Sequence, residues 1–195
     1  DQIIKKTDHV AQINNNFGSK FSLVRGVGGT GKTIALLQSA WASYKEQSKR
    51  TLFLTYNHAL SADVTRLKAL MGVPSDLDEG GISICTVMSF MYRWLSYLGV
   101  IKGQEEDSFA NYQDICKEAI ELIREGAITP DDIVELKSKY YQELDFDNLV
   151  IDEGQDWPSE EVELLKALYD IRQICVADGV QQLVRGRQAN WFAGM

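Results

Sequence analysis

The stretch FSLVRGVGGTGKT, residues 21–33, decides the fold. Its first half, FSLVRG, is a short apolar run ending in glycine and predicts a buried strand. Its second half fits the pattern G-x-x-x-x-G-K-[ST] at Gly26, Gly31, Lys32 and Thr33. Gly26, Gly28, Gly29 and Gly31, with Thr30 among them, let backbone N–H groups turn inward around phosphate oxygens. The run KTIALLQSAWASYKEQ (32–47) places Ile34, Leu37, Trp41 and Tyr44 at one-face helical spacing. A strand, a glycine loop and a helix in that order make a phosphate cradle, with the helix N-terminus adding partial positive charge. Lys32 is then expected to reach the β- and γ-phosphates of a nucleotide, and the Thr33 hydroxyl to meet Mg²⁺.

Working outward, four more apolar runs read as strands: TLFLTY (51–56), ISICT (82–86), NLVID (148–152) and IRQICVAD (171–178). They are continuous rather than alternating, so both faces of the sheet are expected to be covered. Between them, ALSADVTRLKALMG places Leu60, Val64, Leu67 and Leu70 on a helix stopped by Gly72, and SEEVELLKALYD opens on acidic residues. Strand–helix alternation of this kind predicts an α/β fold with a mostly parallel sheet wrapped by helices. Residues 87–147 break the rhythm and read as helical throughout, an insertion between two core strands. Thr129, Pro130 and Asp132 mark one helix start within it.

NLVIDEGQD (148–156) supplies the partner a phosphate cradle needs. Its apolar run ends in Asp152, which sets a carboxylate at the C-terminal edge of a strand, beside the loop. Asp152 is placed to hold Mg²⁺ through its water shell, and Glu153 to orient or deprotonate an attacking water. A glutamate after the metal aspartate points to hydrolysis of ATP. A small-molecule kinase has no use for it and ranks last.

Composition sets bounds on these readings. The 195 residues carry a net charge of −8, yet residues 102–147 hold 13 of the 28 acidic residues and 5 of the 20 basic ones. The rest holds 15 of each, so average charge says little about a local nucleic-acid track. No apolar run approaches a membrane span, and a cytoplasmic protein without a membrane partner is expected. Cys85, Cys116 and Cys175 lie far apart and read as buried reduced thiols.

With these residues in hand, the chain resembles the UvrD/Rep-like superfamily 1 DNA helicases. Their D-E-x-Q-D motif is matched at Asp152, Glu153, Gln155 and Asp156. GVGGTGKT is similar to their first motif, LTYNHAL (54–60) to the strand end that touches single-stranded DNA, and CTVMSF (85–90) to T-x-H-S-F. VADGVQQLVRGR (176–187) looks like their third motif, with its Asp and Gln at Asp178 and Gln181. The resemblance implies a RecA-like ATP-binding domain over residues 1–195, with the 87–147 insertion in the place of subdomain 1B. It also implies a sensing role for Gln181 toward the γ-phosphate, and an adenine-reading glutamine, Gln12 or Gln2. Tyr56 and Asn57 would meet single-stranded DNA, and Arg185 and Arg187 its phosphates. Two departures stand out: Val87-Met88 occupy the region of the T-x-H-S-F histidine, and Val184 and Gly186 the positions of two aromatic residues.

A second RecA-like domain in the same protein is implied, carrying the arginines that complete the ATP site. Without it, the chain is expected to bind nucleotide weakly and hydrolyse it slowly. A second reading keeps the fold but not the motor: a nucleotide-gated binding or signalling module of a repair or defence protein. Phe90, Met91 and Trp94 are expected in the core rather than on DNA.

Overall fold

A computed structural model describes residues 17–26, 31–101, 111–179 and 191. Five strands form one parallel sheet: β1 (Ser22–Gly26), β2 (Thr51–Thr55), β3 (Ile82–Thr86), β4 (Asn148–Ile151) and β5 (Ile174–Gly179). Their order across the sheet is β1-β5-β4-β2-β3. The main helices are α1 (Lys32–Gln47), α2 (His58–Leu70), α3 (Val87–Tyr97), α4 (Tyr112–Arg124), α5 (Pro130–Lys139) and α6 (Ser159–Leu168). The α/β fold with helices flanking a parallel sheet is therefore as the sequence predicts. The first part of IRQICVAD differs: Ile171–Gln173 form a short 3-10 turn, and the strand begins at Ile174.

The strands sort their side chains by period two, which fixes two cores. Leu52 and Leu54, Leu149 and Ile151, and Ile174 and Val176 face one side, with α3, α4, α5 and α6. Phe53, Val150, Cys175 and Ala177 face the other, with α1 and α2. The helices α3, α4 and α5 of the 87–147 stretch thus form one wall of the sheet's own core. Phe90, Met91 and Trp94 are fully buried in it, as expected of them. Burial raises the thiols of Cys85, to about 11, and of Cys116 and Cys175, to about 12.

Two helix faces depart from the expected stripes. In α1 the buried set is Leu36, Leu37, Ser39, Ala40 and Ser43, while Ile34 is 41% exposed. The small residues Ala40 and Ser43 face inward, and Trp41 and Tyr44 stack on each other at the rim, ring centroids 6.1 Å apart. In α2, Val64 and Lys68 are buried and Leu70 is 74% exposed. Lys68 runs its stem inward and donates from Nζ to the Ile82 carbonyl at 2.8 Å. A long aliphatic stem with a satisfied tip can stand where an apolar residue is expected.

The helix ends follow the sequence closely. Thr129 and Asp132 form a reciprocal capping box with Pro130 at the first turn, and Gly72 ends α2 at φ 72. Among the described residues, no helix is long and apolar enough to cross a membrane.

Candidate functional site

Because all five strands are parallel, their C-terminal ends share one edge of the sheet. Gly26, Thr55, Thr86, Ile151 and Gly179 end the strands there. The connection leaving β1 runs over one face through α1, and that leaving β4 runs over the other through α6. In parallel sheets whose connections diverge to opposite faces, ligands bind at the C-terminal edge of the strands. β5 lies between these two strands and brings Asp178 to the same edge.

Gly26 ends β1, and Gly31 precedes α1 with φ 82, a left-handed backbone that favours glycine. Lys32 and Thr33 open the helix and are half-buried. Lys32 donates from Nζ to the Gly26 carbonyl at 2.6 Å.

At the same edge, Asp152 follows β4 and is 5% exposed. Its backbone N–H donates to the Leu54 carbonyl at 2.9 Å, extending the ladder by one step. Burial, reinforced by the neighbouring Glu153, pushes its carboxyl up to about 6. The Lys32 ammonium opposes that rise. A divalent cation beside Asp152 would favour the ionised form in the same way.

Glu153 holds a left-handed conformation, φ 51 and ψ 46, that a residue with a side chain seldom adopts. Its carboxylate accepts from Gln155 Nε2 at 2.6 Å. The next residue has to be glycine: a Cβ on Gly154 would lie 2.2 Å from Val176 Cγ1. Beyond it, the Trp191 indole donates to the Gly154 carbonyl at 2.8 Å. On β5, Asp178 pairs with Arg25 of β1 at 3.2 Å through one carboxylate oxygen. Its other oxygen, Oδ1, is buried without a hydrogen bond among the described residues.

The structure thus gathers Gly26, Gly31, Lys32, Thr33, Asp152 and Glu153 at one sheet edge. Tyr56 and Asn57 stand at the same edge, after β2. Tyr56 is half-buried, and Asn57 accepts from the Leu60 N–H at 2.9 Å as the N-cap of α2, which gives it a structural task. Gly28, Gly29, Thr30, Gln12, Gln2, Gln181, Arg185 and Arg187 lie outside the described residues. Sequence reasoning missed Gly154 and Trp191. The invariably small space at Gly154 had no signal beyond the glycine itself, and Trp191 stood in a segment with no pattern of its own.

Among the described residues, no three His, Cys, Asp or Glu side chains group as a metal cage. That is compatible with Mg²⁺ held chiefly by phosphate oxygens and water, with one hydroxyl and one carboxylate as the protein's share. Thr33 and Asp152 are the residues suited to it. No protein-family model matches the chain, and no curated protein does.

Proposed function

We propose that this chain is a RecA-like P-loop ATPase domain, the ATP-binding half of a superfamily 1 DNA helicase or translocase. The observation that carries the reading is the placement of Lys32, just after β1, and Asp152, just after β4, at the same edge of one parallel sheet. A phosphate loop and a metal carboxylate need that juxtaposition, and residues 120 positions apart have no other evident reason for it. Bound ATP with Mg²⁺ supplies the phosphoryl group to be cleaved. Lys32 would then leave the Gly26 carbonyl for the phosphates, Thr33 and Asp152 would fix the metal, and Glu153 would orient the attacking water.

The motor assignment rests on the ordered resemblance from the loop to VADGVQQ, together with the position of Gly26, Lys32, Thr33, Asp152 and Glu153 at the C-terminal edge of the sheet. The module reading shares the ATP site and is favoured by Asn57, whose side chain is engaged in capping α2. ATP hydrolysis by the full-length protein, with and without single-stranded DNA, separates the two. The motor reading expects hydrolysis stimulated by DNA and abolished by Lys32→Ala. Hydrolysis indifferent to DNA sinks the motor and leaves the module; none at all sinks both.

A further inference from the structure

We propose that Trp191 is a positioning residue for Glu153, acting through the backbone of Gly154; this rests on the reading of Glu153 as the group that orients the attacking water. Trp191 is 4% exposed, although it lies 38 residues beyond Glu153 in the chain. Its indole N–H donates to the Gly154 carbonyl at 2.8 Å, and its ring stands 5.6 Å from that of Trp157, tilted by 56°. Its backbone carbonyl accepts from Lys166 Nζ on α6 at 2.5 Å, so both the backbone and the side chain of Trp191 are tied to the domain.

The turn it grips has little freedom left. A Cβ placed on Gly154 would lie 2.2 Å from Val176 Cγ1 of β5 and 3.2 Å from the Trp191 indole nitrogen. Fixing the Gly154 carbonyl fixes the peptide plane that leads into Gln155. Gln155 in turn donates to the Glu153 carboxylate at 2.6 Å. Glu153 itself sits in the left-handed region, a conformation that persists only where the surroundings over-determine it. Trp191 supplies such a constraint through the Gly154 carbonyl.

The test is ATP hydrolysis by full-length Trp191→Phe, which keeps a ring and loses the donor. The expected result is a kcat lowered roughly 10- to 100-fold with KM for ATP nearly unchanged. Trp191→Phe added to Glu153→Gln should cost nothing further, because both act on one water. A merely structural tryptophan would lower the melting temperature and leave that non-additivity absent. Lys166→Met, which frees the Trp191 carbonyl without touching the indole, should lower kcat in the same direction by less. Wild-type kcat in Trp191→Phe, or full additivity with Glu153→Gln, overturns the positioning role while the ATP site stands. A wild-type protein that hydrolyses no ATP, and binds none in a fluorescent-nucleotide titration, overturns the site and the positioning role together.

Discussion

The two ends of the sheet are built on opposite rules. At the N-terminal end, side chains tie the incoming chain down. Gln173 donates from Nε2 to the Phe146 and Asp147 carbonyls at 3.1 and 3.2 Å and accepts from the Asp170 N–H at 3.0 Å. Asp147 accepts from the Arg50 N–H at 2.8 Å, and the Arg50 guanidinium lies 4.1 Å from the Tyr141 ring. Asn148 reaches Ser43 and Thr51. At the C-terminal end, by contrast, Asp152 is buried with a raised carboxyl and Glu153 is left-handed. Buried polar atoms without a hydrogen bond among the described residues occur at both ends, Arg50 Nε and Nη2 and Asn148 Oδ1 at the first and Asp178 Oδ1 at the second, so the contrast rests on Asp152 and Glu153. Strain and awkward charge gathered at one edge point to a site.

The sharpest way to break this comparison is Glu153→Gln in the full-length protein. ATP hydrolysis should fall by roughly 10²- to 10⁴-fold while nucleotide binding persists, read by phosphate release beside a binding titration. Wild-type turnover would show that the strained turn serves no catalytic end.

Next in size is Asp152→Asn, followed by denaturant unfolding in metal-free buffer. The folded carboxyl titrates near 6, against 3.8 for its ordinary value, so its ionisation counts against the fold. Below about pH 4 it is protonated in both states and the variant gains nothing. Between about pH 4 and 6 the unfolded carboxyl ionises while the folded one stays protonated, so the native aspartate loses stability across that window, and above it the variant should be more stable by a constant ~3 kcal/mol. A gain that does not change with pH would remove the charge argument.

At the opposite end the sign reverses. Gln173→Ala should lower unfolding stability by about 1–2 kcal/mol, since three hydrogen bonds are lost, and leave nucleotide affinity untouched. A change in affinity would mean that the two ends are not separate in function. The smallest effect is expected of Glu153→Gly, which should raise stability by about 0.5–1 kcal/mol by relieving the left-handed backbone, while removing the carboxylate. A loss of stability would mean that Glu153 contributes contacts outweighing its strain.

Much of this contrast was legible in the residues. The strands were readable because runs such as NLVI are apolar on both faces, and α5 because Thr129, Pro130 and Asp132 declare its start. The loop and DEGQD could be placed at one edge once the sheet was read as parallel. The α1 stripe was misplaced for a physical reason: Trp41 and Tyr44 are large, and hydrophobicity alone puts large residues inward. Close helix–sheet approach instead favours small ones, Ala40 and Ser43. Lys68 was invisible as a buried residue because its charge hides an apolar stem. Trp191 could not be assigned because its partner, the Gly154 carbonyl, is backbone and carries no sequence signal.

The central claim is that Lys32 and Asp152 form one Mg²⁺-dependent ATP site. Calorimetric titration of this chain with ATP, with and without Mg²⁺, tests it most directly, beside Lys32→Ala. The account predicts saturable one-to-one binding that weakens without Mg²⁺ and is lost in Lys32→Ala. Binding that ignores both the metal and the lysine would contradict it.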